Sequence, residues 1–399
     1  MTRAFVAAIV WWSIAAAAGA QTLPSEPISI GNGRVVLGGD VSAAIAPVDP
    51  GFFSYGQYEH STLRQFRIGL SAQVRAGRRL SLLAEVRSEN LEDVTPFALY
   101  ARVRPFPNHR FDIQVGRIPP TFGRFARLAY SKENPLIGYP LAYQYLTSLR
   151  PDSVPASNDE LLLMRGRGWR SNFSVGNLAP APGVPLASSL TWDTGVQVIA
   201  GLKAVTLVGS VTNGTLSNPR VGDDNGGKTV AARMVVSAAP GLEIGSSFSR
   251  GSFVSRTALD ALGPLGERDI AQTAYGLDVE YSRGHWLTRM EAITSGWRMP
   301  MLSTGLIQPL RSTAISAEGR YALLPGVYMA VRAEHLGFSH VQGRSGNLPW
   351  DAPVMRVELG AGYYIQRNVI FKASLQLNER DGGRTTTVRL PAAQLLFWF

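Results

Sequence analysis

The chain has no cysteine, which excludes disulfide staples, thiol redox chemistry and thiolate-bound metal. Histidine is nearly as scarce, with His60, His109, His285, His335 and His340 the full set, and there is no G-x-S-x-G elbow. No acid and nucleophile can be assigned to complete a hydrolytic site around any of them. The expectation is therefore no enzyme and no cofactor. Lysine occurs only at Lys132, Lys203, Lys228 and Lys372, so the 39 basic residues, set against 29 acids, are almost all arginine. They spread along the chain without a compact patch or stacking platform, which argues against nucleic acid. Arginine's planar fork instead suits bidentate pairing with carboxylates or phosphates. Beyond the first 20 residues no apolar run is long enough for a membrane helix.

Arg3, an apolar run over 4–17 and Ala18-Gly19-Ala20 before Gln21 make up the parts of a secretory signal peptide, 1–20. Residues 21–399 then carry one repeating rhythm with no linker, which predicts a single domain. Apolar and polar residues alternate over 35–45, 66–74, 80–88, 97–104, 111–115, 191–200, 204–213, 229–239, 242–251, 271–282, 286–295, 312–323, 327–338, 353–365, 369–379 and 386–399. Those are about sixteen strands; a hairpin hidden at 161–175 would raise the count to eighteen. Connections alternate between tight turns, such as Pro240-Gly241, and long loops. That asymmetry, with strands of about ten residues, predicts an all-β transmembrane antiparallel β-barrel. A two-sheet soluble sandwich is the competing arrangement. Tyr281, Trp286, Trp297, Tyr321, Tyr363, Tyr364 and Trp398 lie near strand ends and suit interfacial girdles. The final strand alternates Leu395, Phe397 and Phe399, and resembles the terminal signature that bacterial outer-membrane barrels present to the barrel assembly machinery. Closing it against the first strand would remove an exposed apolar edge.

One long interruption breaks the rhythm. Residues 118–190 hold Pro119, Pro120, Pro135, Pro140, Pro151, Pro155, Pro180, Pro182 and Pro185, which no sheet interior tolerates. Irregular chain of that length needs a purpose, and in a barrel the purpose is a third external loop folded into the lumen as a constriction. Several charges come as opposite pairs two apart on one strand: Glu85 with Arg87, Arg289 with Glu291, Glu318 with Arg320, Arg332 with Glu334, and Arg356 with Glu358. These are read as a self-cancelling polar wall. Arg67, Arg75, Arg102 and Arg104 have no such neighbour, and residues 61–130 hold twelve arginines against five acids. With Arg117, Arg124, Arg127 and Lys132 at the start of the long loop, they are the expected anion-selecting lining of the pore. Lipopolysaccharide or neighbouring subunits are the other partners such arginines could take.

Two motifs are discounted. Gly222 to Thr229 has phosphate-loop spacing, but a strand follows it instead of a helix, and Asp223 and Asp224 would repel phosphate. The same Asp223-Asp224-Asn225 cluster could hold Ca²⁺ in an external loop, although its spacing is not that of an EF-hand.

Trp192-Asp-Thr-Gly-Val-Gln-Val198, Val211-Thr-Asn-Gly214 with Asp224-Asn-Gly-Gly-Lys228 and Arg233, Gly241-Leu-Glu-Ile-Gly245, and Tyr275-Gly-Leu-Asp-Val-Glu-Tyr281 occur in that order. Gly362-Tyr-Tyr with Lys372 and Gln376, and Leu390-Pro-Ala-Ala-Gln394, continue the series. In these stretches the chain resembles the phosphate-selective porins, O and P type, of bacterial outer membranes. The resemblance implies a sixteen-stranded homotrimeric porin whose third external loop narrows the pore. Its setting would be outer-membrane lipid and lipopolysaccharide, and its cargo small anionic or polar solutes moving passively, with an anion preference such as phosphate. A substrate-specific channel for organic acids or sugars, and a non-conducting structural barrel, are the alternatives.

Overall fold

A computed structural model describes residues 26–399 except 58–59, 107–109, 126–129, 190 and 225. The expected signal peptide, His109 and Arg127 lie outside the described residues. Sixteen long strands run in chain order: β1 Val35–Ile45, β2 Phe66–Arg75, β3 Leu80–Glu89, β4 Thr95–Val103, β5 Phe111–Ile118, β6 Asp193–Leu202, β7 Val205–Thr212 and β8 Thr229–Ala239. They continue as β9 Leu242–Ser252, β10 Ala271–Arg283, β11 Trp286–Met301, β12 Leu306–Leu324, β13 Val327–Phe338, β14 Val354–Gln366, β15 Val369–Arg380 and β16 Thr387–Trp398. Each pairs antiparallel with the next, and β16 returns to β1 through Asp40↔Trp398 to Ile45↔Ala393. The result is a closed sixteen-stranded antiparallel barrel.

The alternation in sequence becomes the two faces of this wall. Leu70, Leu99, Leu277, Met290, Ile315, Met329 and Leu375 are exposed on one face. Arg67, Gln197, Arg233, Asp278, Glu318, Arg332, Glu358 and Gln376 are buried on the other. An apolar outside around a polar inside is the reverse of a soluble sandwich and is what a lipid-facing barrel requires. Tyr281, Trp286 and Tyr363 are exposed near the short-turn end. Trp297 is not part of any girdle: it is 1% exposed and packs inward on Phe253 and Trp350.

Two expectations change. Strand β11 runs well past 295 and β12 begins before 312, with Pro300 and Pro309 accommodated opposite Ile307 and Arg298. The 161–175 region forms no barrel hairpin, so the count is sixteen and not eighteen. Ser157 instead caps a short helix, α1 Asn158–Leu163, accepting from the Glu160 N–H at 3.3 Å, while Glu160 accepts from the Ala156 N–H at 2.6 Å. That reciprocal bonding is a variant of the capping box, a helix-start signal that outweighs strand alternation. A two-residue ladder pairs Val154 with Val175 beside it.

Closure depends on glycine. The Gly39 N–H donates to the Phe399 carbonyl at 3.0 Å, and the Gly39 carbonyl accepts from the Phe399 N–H at 2.9 Å. A Cβ on Gly39 would meet the Phe399 ring at 2.8 Å. Gly39→Leu should therefore cost about 1–3 kcal/mol through overpacking and lower the folded fraction in a heat-modifiability gel. Gly209→Leu, where a side chain meets nothing within 4 Å, should not; equal behaviour of the two variants would refute the closure argument.

Candidate functional site: the inner wall and the 119–189 segment

Opposed residues on neighbouring strands point the same way, with Cβ atoms about 4.5–5.5 Å apart, whereas residues two apart on one strand are farther separated. The inner charges consequently form rows across strands. Glu280↔Arg289, Arg289↔Glu318, Glu318↔Arg332 and Arg332↔Glu358 are successive register partners over β10 to β14. Their ion pairs follow the row: Arg289 to Glu280 at 2.7 Å and to Glu318 at 3.3 Å, and Arg332 to Glu318 at 3.2 Å and to Glu358 at 2.8 Å. Of the five expected pairs along a strand, Glu85 with Arg87 and Arg332 with Glu334 are present, at 2.7 and 3.2 Å. Arg289 and Glu318 take cross-strand partners. Arg356 directs its guanidinium to Asn378 and to the Tyr139 and Phe53 carbonyls.

The ion pairs leave hydrogen-bonding capacity on the row unused, and the 119–189 segment fills it. Glu358 Oε1 accepts the backbone N–H groups of Gly138 at 3.0 Å and Ile137 at 3.3 Å, and Glu334 accepts that of Leu141 at 2.7 Å. In the other direction Arg332 donates to the Gly138 carbonyl at 2.7 Å, Lys372 to the Asn134 carbonyl at 2.6 Å, and Tyr328 to the Pro135 carbonyl at 2.9 Å. Gly138 is required at this contact, since a Cβ there would lie 2.0 Å from Gln376 Nε2 and 2.7 Å from Glu358 Oε2. A second attachment involves like charges. Glu243 and Glu280 face each other across β9 and β10, and Arg124 bridges them at 2.8 and 2.6 Å. Burial opposes the Arg124 charge, but the two carboxylates more than offset it and hold the guanidinium above its usual range. Glu291 accepts the Arg124 N–H at 2.8 Å and the Tyr143 hydroxyl at 2.7 Å. Burial, reinforced by Glu291, pushes the Tyr143 phenol well above its ordinary value. At the long-loop end Asp351 is fully buried and accepts N–H groups from Ser148, Gly166 and Ala352, each at 2.7 Å. Burial raises its carboxyl above the usual range, and those three donors partly oppose the shift.

Of the eight basic residues singled out by sequence, Arg127 lies outside the described residues, and the other seven fall into several different environments. Arg67 is 2% exposed and bonded to Tyr139 Oη at 2.9 Å and Ser131 Oγ at 2.5 Å, so it holds the segment. Arg124 is neutralised by Glu243 and Glu280. Arg104 pairs with Asp112 at 3.0 Å, and Arg102 lies 3.9 Å from the same carboxylate. Arg117 stands opposite Leu99 on the outward face and bonds the Trp192 and Pro96 carbonyls. Its position follows from strict alternation along β5, which Gly116 does not break. Lys132 is exposed. Arg75 joins Arg78, Arg79 and Arg104 around a cavity of about 620 Å³ at the short-turn end. Asp223 bonds Lys228 and the Gly226 N–H, and Asp224 bonds Arg220; no cluster able to hold a metal occurs among the described residues. Sequence reasoning misses Arg332, Glu334, Arg356 and Glu358 as anchors, because an i,i+2 pair of opposite charges looks self-sufficient; it misses Lys372 because its partners are carbonyls of the distant segment.

Removing Arg332, 1% exposed among three carboxylates, leaves buried charge uncompensated, a loss of roughly 3–5 kcal/mol. Arg332→Met should lower the denaturation midpoint and expose residues 131–150 to protease. An unchanged midpoint and cleavage pattern would contradict the anchoring role.

No family model matches the sequence, and no curated protein matches it. Solved structures do. OmpF of Salmonella typhi, in complex with daunomycin, aligns with a TM-score of 0.56 at 10% identity over 92% of this chain and 97% of its own. The trimer form of in-vitro folded OmpT, an outer membrane protein of Vibrio cholerae, gives 0.53 at 10% over 92% and 99%. The anion-selective porin from Comamonas acidovorans gives 0.51 at 9% over 92% and 99%. At these identities the likeness is one of fold, and the fold is the barrel of the outer-membrane porins.

Proposed function

We propose that this protein is an outer-membrane porin through which small hydrophilic solutes diffuse passively. The observation that carries the reading is the closed barrel with an exposed apolar outside and a charged, hydrogen-bonded inside. In this account the 119–189 segment lies in the lumen and narrows it, which is supported by its bonds to the inner face of β9 to β15. The trimer form of the Vibrio cholerae protein supports a homotrimer here. The anion-selective porin of Comamonas acidovorans, which has a similar fold, agrees with an anion preference here.

The proposed seat of that preference is part of the set the sequence suggests, around Arg75 and Arg104. Arg67 and Arg124 are occupied with partners at the proposed narrowing. The short-turn mouth holds Arg75, Arg78 and Arg79 around one cavity, with Arg104 beside them paired to Asp112, and the other side chains of its lining, Gln73, Ser81 and Phe106, carry no charge. A wall of one sign beside low-dielectric surroundings concentrates counter-ions, so chloride and phosphate would be enriched there.

In a planar bilayer across a potassium chloride gradient, single channels should show a chloride-favouring reversal potential. Arg75→Ser with Arg79→Ser should move it toward zero. Arg124→Ala, which frees Glu243 and Glu280, should move it toward cations. A cation-favouring wild type would overturn the charge map. Replacing 124–185 with a Gly-Ser linker should raise conductance several-fold, and an unchanged conductance would remove the segment from the path.

A further inference from the structure

At the long-loop end, opposite the arginine mouth, a second cavity of about 560 Å³ opens between the 46–54 loop, the 164–180 stretch and the 380–385 turn. Arg167, Arg170 and Arg384 line it, and no acid does. All three are exposed, and their side chains make no hydrogen bond or ion pair with any described residue. Arg380 beneath them is different in kind. It donates to the carbonyls of Gly51, Gly382 and Thr385 and to Tyr145 Oη, and so fixes the floor.

The wall of the cavity is aromatic. The Phe52 ring stacks on Trp169 at 3.9 Å with 8° between planes, and Tyr55 leans on Phe52 at 4.9 Å. Phe52 does this from a backbone φ of 55°, a left-handed conformation that a bulky residue rarely adopts. Strain of this sort gathers at ligand clamps. The stack also joins two loops distant in sequence, so the cavity has a defined shape.

We infer that this cavity binds an aromatic carboxylate, its ring against the Phe52 and Trp169 wall and its carboxylate on Arg167, Arg170 and Arg384. Guanidinium forks match a carboxylate bidentately, and aromatic faces favour offset or edge-on partners. A sugar acid fits less well, because Asn172, Thr385 and the Trp169 indole N–H are the uncharged hydrogen-bonding side-chain groups in the lining, too few for a ring of hydroxyls. Arg167 and Arg170 belong to the segment proposed to narrow the lumen, so the bound acid would wait at the entrance to the constriction. That role rests on the porin reading; the binding itself does not.

The test is isothermal titration of benzoate into the detergent-folded full chain, with benzamide, cyclohexanecarboxylate and inorganic phosphate as comparisons. Benzoate should bind saturably and at least tenfold more tightly than each of the three. Arg167→Gln with Arg384→Gln, two exposed positions, should weaken benzoate at least tenfold, and Phe52→Ala should do so independently. Folding of each variant is checked by heat-modifiable migration. Absence of saturable heat, equal affinity for phosphate, or unchanged affinity in folded variants would overturn the inference. Binding without conductance would overturn the porin reading alone, and conductance without binding would overturn this site alone.

Discussion

A buried charge must find a partner, and that constraint organises the inner wall of this barrel around Arg332. Its guanidinium meets Glu318, Glu334 and Glu358 and still has a hydrogen bond for the Gly138 carbonyl. The carboxylates in turn have lone pairs left for the Gly138, Ile137 and Leu141 amides. Wall and segment therefore satisfy each other. A proline-rich stretch with little regular structure would otherwise leave many of its amides and carbonyls unpaired, a cost of about 1–3 kcal/mol for each buried group. The same need explains Arg124, which sits where two carboxylates would repel, and Lys372, whose ammonium collects segment carbonyls.

This arrangement separates two tasks that the sequence alone merges. The charges at the level of the segment are engaged in holding it, in pairs and rows that largely cancel. Arginines free to act on solutes lie toward the two mouths, around Arg75 at one and around Arg167 and Arg384 at the other. In the proposed function an anion meets attraction before and after the narrowing, while the narrowing itself supplies size exclusion and rigidity.

Much of the fold is legible from period-two alternation, because in a barrel the apolar face must look outward along every strand. Strand β1 is legible to the residue, and Pro391 does not stop β16, where it pairs with Leu375. Where reading fails, the cause is a distance that sequence does not contain. Arg289 and Glu291 are neighbours in the chain, yet Glu280 and Glu318 come closer to Arg289 across the sheet. Trp297 sits near a strand end but on the inner face, so proximity to an end does not make it a girdle residue. Arg117 is misread for a related reason, with alternation turning it outward. The 119–189 segment announces its irregularity through proline; nothing local in Gly138 announces that two strands of the wall converge on it.

Backbone hydrogen exchange over residues 131–145, read by mass spectrometry on the folded protein, tests the account most directly. The amides of Ile137, Gly138 and Leu141 end on buried carboxylates, so this stretch should exchange as slowly as the barrel strands and should speed up by at least tenfold in Arg332→Met. Exchange in the unaltered protein as fast as that of the 218–224 loop would contradict a segment held by the wall.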